Sequence, residues 1–150
     1  MITREAIVRE ARALKGVRFL HQGADPATGI DCRGLLLCVA RALGHTLSQA
    51  YRSNYARRPD AAEFRAALSG ELEEIPFDEL REGDVVFIRW PREREATHAG
   101  IVCQGPHERM LIHARSNSNG FSGSVVEEPY KRWEKYVTAV FRFKGVEAHG

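Results

Sequence analysis

The sequence predicts an α+β domain, with N-terminal helices packed on a C-terminal antiparallel sheet of about five strands. Two observations predict it. Up to about residue 68, apolar residues recur at helical spacing. From residue 84 onward they fall in short runs rich in Val, Ile, Phe and Leu, separated by Gly, Pro, Asn and Ser. Helices first and strands afterwards argue against alternating βαβ units. A length of 150 residues allows one domain, 1–150, with no room for a second core.

The elements follow in order. Ile2, Ala6, Ile7, Ala11 and Leu14 form the apolar stripe of a helix over 2–14, which Gly16 ends. Residues 21–31, HQGADPATGID, are punctuated by Gly and Asp-Pro and predict a loop. A second helix spans 32–43, with Asp31 as N-cap and Gly44 at C′. Pro59-Asp60 opens a third helix, which runs to about 68 and stops at Ser69-Gly70. Residues 71–83 form an acidic connector ending in a Glu82-Gly83 turn. Strands are expected at 84–90, 97–104, 109–115, 125–128 and 137–144, with a short helix over 129–136.

Composition narrows the function classes. Hydrophobic residues at 43% and charged residues at 28% exclude a disordered chain. Lys plus Arg is 22 against Asp plus Glu at 20, and the net charge of +2 points to no nucleic-acid partner. Arginine clusters at 52, 57, 58 and at 89, 92, 94 read as solvated faces. The longest uncharged apolar run, 34–40, is far too short for a membrane span. The first residues are charged and no apolar segment follows, so no signal peptide is expected and synthesis is placed in the cytoplasm. Cysteines stand at 32, 38 and 103 without C-x-x-C spacing, which argues against a disulfide framework and a zinc knuckle.

Cys32 begins the second helix, where free amides and the helix dipole favour a thiolate. Its bland alternative is a small buried hydrophobe. Residues 97–104 and 109–115 form a hairpin, and pairing Cys103 with Glu108 sets His98 directly opposite His113. Gly100 then lies on their face, leaving room for a helix, while Ala99, Ile101, Cys103, Met110, Ile112 and Ala114 line the other. Two polar rings on an apolar hairpin need partners. Cys32, His98 and His113 thus read as nucleophile, base and orienting group. The rival chemistry is zinc on the same three side chains, which lacks a clear acid or base partner, so neither metal nor organic cofactor is expected. His45, His107 and His149 read as loop or terminal residues, and His21 leads into Cys32.

Four motifs in order then carry a resemblance. Gly29-Ile30-Asp31-Cys32-Arg33-Gly34-Leu35 resembles the D-C-x-G-L nucleophile motif of NlpC-type cell-wall cysteine peptidases. Glu82 to Phe87 is similar to their G-D-hydrophobic strand, Thr97 to Val102 to their H-x-G-I strand, and Met110 to Ala114 to their I-H-A strand. The resemblance implies a papain-like fold and hydrolysis of amide bonds in peptidoglycan stem peptides, often beside a D-γ-glutamyl or diamino acid residue. It carries over Cys32, His98 and His113 as catalytic residues and Phe19, His21, Asp31 and Arg33 as substrate-binding ones. His21-Gln22-Gly23 followed by Thr28 to Cys32 resembles the phage-associated branch, which implies phage tail proteins as partners and carriage in a phage or phage-like particle. Two positions depart: Arg33 stands where relatives have Ser and is expected at the cleft rim, and Phe19 stands where they have Tyr. A tail-tip assembly component with weak chemistry, and an acyltransferase or lipid hydrolase of the same fold, are the alternatives. Polar loops at 25–28 and 116–122 favour a polar peptide over lipid.

Overall fold

Thr3 starts the first helix, α1 (Arg4–Arg12), where its hydroxyl accepts the Ala6 amide that a helix start leaves without an internal partner. The computed structural model describes residues 1–47, 60–116 and 122–147. Helix α2 (Cys32–Ala42) is capped by Asp31, and α3 (Ala61–Ser69) by Asp60. Each capping carboxylate accepts first-turn amides: Gly34 for Asp31, Ala62 and Glu63 for Asp60. The arginines at 52, 57 and 58, the opening Pro59, most of the 116–120 loop and His149 lie outside the described residues.

The expected helices-then-sheet order holds. The sheet has six strands, though, not five: β3 (Leu72–Ile75), β4 (Val85–Ile88), β5 (His98–Gln104), β6 (Arg109–Arg115), β7 (Ser124–Pro129) and β8 (Val137–Phe143). Their spatial order is β3-β8-β4-β5-β6-β7, and every neighbouring pair is antiparallel. The additional strand is β3, inside the expected acidic connector. Glu73 and Glu74 are exposed and hide its strand character, but Leu72 and Ile75 are buried against β8. An edge strand tolerates such charges, which also discourage pairing with another chain. The 21–31 loop contains a further two-residue ladder, β1 (Ala24–Asp25) with β2 (Gly29–Ile30). The helix expected over 129–136 is two separate 3₁₀ turns, Tyr130–Arg132 and Glu134–Tyr136.

Each sheet face buries its own apolar cluster. One carries Val85, Phe87, Ile101, Ile112 and Phe141 and packs against Ile7, Val8, Leu35, Leu36 and Val39 of α1 and α2. The other carries Val86, Ile88, Val102, Leu111 and Val140 and is covered by Leu80, Tyr130, Trp133 and Tyr136. Leu35 and Leu36 are fully buried, so truncating either to Ala costs about 2–5 kcal/mol.

The Gly83-Asp84 pair locks α1 to the sheet. Asp84 Oδ1 accepts from Arg4 at 3.0 Å and from Arg142 Nε at 2.9 Å. Its Oδ2 accepts from Arg142 at 3.0 Å and from the Arg81 amide at 2.9 Å. Arg4 also donates to the Glu82 carbonyl at 2.8 Å. The G-D motif therefore has a structural role here.

Candidate active site

The residues around Cys32 divide their tasks. Asp31 is buried, and besides capping α2 its Oδ2 accepts the Gln22 amide at 2.8 Å. Gln22 has φ of 63°, unusual for a residue with a side chain, and this hydrogen bond holds the turn there. Gly34 lets the 21–23 turn cross the helix start: a Cβ at that position would collide with the Gly23 carbonyl oxygen. Leu35 enters the core. Cys32, between the cap and the crossing glycine, stays half-buried as the first residue of α2.

Its electrostatics differ from the expectation. Burial, and then the Asp31 carboxylate, push the Cys32 thiol up to about 12, against the amides of Ala99 and Arg33, which favour the thiolate. A helix start lowers a cysteine pKa when its field acts alone. Here burial, with the capping carboxylate added to it, outweighs that field, so the resting group is a thiol.

His98 and His113 meet, but not in the expected register. Ile101 pairs with Ile112 and Cys103 with Met110, a shift of two residues from the Cys103–Glu108 pairing. One further step sets Gly100 opposite His113, with His98 on the diagonal. A Cβ at Gly100 would lie 3.1 Å from the His113 Cβ and 2.7 Å from a Leu111 methyl, so the glycine clears space for the ring. It does not serve the approach of a helix. α2 packs on the Ala99 face, and both histidines lie on the opposite face, near one end of the sheet. His98 Nε2 and His113 Nδ1 are 2.8 Å apart and buried. The described hydrogen bond of His98 runs to His113, not to Cys32. The Cys32 sulfur is instead within reach of the amide of Ala99, one residue from His98.

Three residues that sequence reasoning missed complete the cluster. Glu128 Oε1 lies 2.7 Å from His113 Nε2 and accepts from Trp133 Nε1 at 2.9 Å. Trp90 stacks on His98, with ring centroids 4.9 Å apart, and Trp133 sets its edge against His113 at 4.9 Å. His98 is thus neutral: burial first, then His113, hold it well below the usual imidazole value. The His113 hydrogen bond leads the causes that lower the Glu128 carboxyl to about 2. The missed signal is the pairing of β6 with β7. His113 opposes Val126, which puts Glu128 on the next diagonal of the same face. The 98–113–128 contacts climb diagonally across three strands.

The remaining expected site residues are placed as follows. Arg33 is not at a rim. It is buried, forms a two-pronged ion pair with Glu63 of α3 and stacks on Phe64 at 5.3 Å. A guanidinium is anchored this way because its fork matches a carboxylate. Phe19 is half-buried against the helix-side core, and its amide donates to the Gly123 carbonyl at 3.0 Å. His21 is half-buried in the turn before Gly23. His45, expected in a loop, is buried: its Nδ1 accepts the Leu47 amide and its ring meets Phe143 edge-on.

Comparison with known proteins supports the fold. Residues 16–142 match the NlpC/P60 family. The chain is 30% identical over 138 residues to gamma-DL-glutamyl hydrolase of Bacillus subtilis, covering 91% of this chain and 29% of that protein. It is 27% identical over 141 residues to the bifunctional muramidase/DL-endopeptidase CwlT of the same organism, covering 93% and 36%. The chain therefore spans about a third of the length of these relatives. Among solved structures, the NlpC/p60 domain of peptidoglycan hydrolase SagA superposes with a TM-score of 0.60 at 20% identity, covering 93% and 97%. RipD of Mycobacterium tuberculosis, a non-catalytic NlpC/p60 domain protein adapted to peptidoglycan binding, superposes at 0.55 with 12% identity, covering 94% and 96%.

Proposed function

The chain belongs to the NlpC/P60 family, and on that premise we propose that it is a cysteine peptidase cleaving amide bonds of peptidoglycan stem peptides beside a D-γ-glutamyl residue. The observation that carries the reading is the buried His98–His113 contact at the end of the sheet where α2 begins with Cys32. The DL-bond specificity named for the two Bacillus subtilis proteins supports the substrate class.

In this mechanism Cys32 and His98 rest as a neutral pair, since the thiol is held high and the imidazole low. His98 then takes the thiol proton as the sulfur attacks the carbonyl, and the Cys32 amide steadies the oxyanion. The same proton goes to the leaving amine, and water with His98 as base hydrolyses the thioester. His113 orients His98. Carriage in a phage tail or phage-like particle belongs to the same proposal and rests on the resemblance of the His21-to-Cys32 segment.

A second reading is peptidoglycan binding without turnover, the adaptation named for RipD. The raised thiol and the absence of a described Cys32–His98 hydrogen bond favour it. Incubating the chain with purified muropeptides and following products by mass spectrometry separates the two. The peptidase reading expects new fragments ending at a D-γ-glutamyl residue; intact muropeptides that co-purify with the chain support the second.

A further inference from the structure

We propose that Glu128 is a positioning residue that fixes the tautomer of both histidines and so makes Nδ1 the basic nitrogen of His98. The inference rests on the peptidase reading only for its consequence in turnover. Its premises are geometric.

An ionised carboxylate can only accept hydrogen bonds. Across the 2.7 Å contact with Glu128, His113 Nε2 must therefore carry the proton. A neutral imidazole has one N–H, so His113 Nδ1 is an acceptor. The 2.8 Å contact with His98 then requires His98 Nε2 to donate. His98 Nδ1 keeps its lone pair. The opposite order would set the His113 Nε2 lone pair against a carboxylate oxygen in a buried site, acceptor on acceptor.

Charging His113 would reverse the order, because it would donate from both nitrogens. Glu128 is held by other partners as well. Its Oε2 faces Arg115 of β6 at 3.6 Å and Arg132 at 3.5 Å. Trp133 Nε1 donates to Oε1, the oxygen that His113 uses, and fixes it in place. Partners on β6 and on the turn after β7 hold the carboxylate from two sides.

The proton balance follows. The Cys32 S–H bond breaks, an N–H bond forms at His98 Nδ1, and the sulfur keeps the electron pair that attacks the carbonyl. His98 becomes imidazolium while still donating through Nε2 to His113, which still donates to Glu128. No second proton moves.

Long-range ¹⁵N–¹H NMR of the chain at neutral pH reads the tautomers directly. The wild-type chain is expected to show Nε2–H and an unprotonated Nδ1 on both histidines. Glu128→Gln keeps an acceptor and is expected to keep the pattern, with turnover within about tenfold of wild type. Glu128→Leu removes it, and His113 is expected to become a tautomer mixture while turnover falls about 10–100-fold. Nδ1–H on His98 in the wild-type chain overturns the proposal, as does an unchanged pattern in Glu128→Leu. The wild-type spectrum alone decides should Glu128→Leu not fold. The expected tautomers without any turnover would overturn the peptidase reading and uphold this one.

Discussion

Among the described residues, two buried polar clusters of similar size are built on opposite plans. Arg4, Asp84 and Arg142 form the first, with Arg4 and Asp84 at 2% and 0% exposure. His98, His113 and Glu128 form the second, with the two rings at 4% and 0%. In the first, both carboxylate oxygens are filled, by two guanidiniums and a backbone amide. In the second, the described hydrogen bonds join two rings to a carboxylate and leave one nitrogen of His98 uncommitted. Burial of charge therefore does not by itself mark a reactive site. On the peptidase proposal, an open proton position at the end of a hydrogen-bonded chain does.

The comparison can be broken by mutation. In the second cluster, His98→Ala removes the base, and turnover measured below the melting transition is expected to fall by about 10²–10⁴. His113→Asn keeps a side-chain hydrogen-bonding group and is expected to retain more activity than His98→Ala, as kinetics on one muropeptide would show. The first cluster should behave in reverse. Asp84→Asn leaves two guanidiniums without their buried counter-charge and is expected to cost about 3–5 kcal/mol of stability in denaturant titration. Its pH–rate profile below the melting transition should match that of wild type.

Acid sharpens the contrast within the relay. His98 is held below its ordinary value, so an unfolded chain takes up a proton near pH 6.5 that the folded chain resists. Stability is therefore expected to fall as pH drops below 6.5. Glu128 adds a second loss between about 4.5 and 2, because its folded carboxyl lies at about 2. Urea midpoints across this range check both limbs, and replacing His98 should weaken the first, leaving the part that belongs to buried His45, which is also held low by desolvation. For the thiol, a value near 12 predicts iodoacetamide labelling of Cys32 that rises about tenfold per pH unit from 7 to 9. A plateau below pH 7 would instead indicate a preformed thiolate.

The smallest expected effect belongs to Phe19. The resemblance read from the sequence implies a Tyr hydroxyl at this position, and a phenyl ring cannot donate in its place. If no neighbour supplies that donor, Phe19→Tyr raises turnover and His21→Ala changes little; if His21 supplies it, the two effects reverse. Changes under about twofold in both would remove this segment from the substrate site.

Much of this was legible in the chain. Asp31 as cap, Cys32 at a helix start and the two histidines on one face follow from local chemistry and a period of two. The histidine register was not legible, because the Gly105-Pro106 turn permits pairings two residues apart and both keep the same face. Glu128 escaped notice because its role depends on two successive strand pairings. The Cys32 thiol was misjudged because the field of the helix start and the charge of its cap oppose each other, and only burial shows which prevails. Arg33 reads as a surface residue until α3 brings Glu63 to it.

The central claim is that Cys32 is the nucleophile. Intact-mass spectrometry of the chain quenched in acid during muropeptide turnover tests it most directly. The account predicts a transient adduct with the mass of the acyl fragment, mapped by peptide digestion to Cys32 and absent, together with all cleavage, in Cys32→Ala. Cleavage that continues unchanged in Cys32→Ala would contradict it.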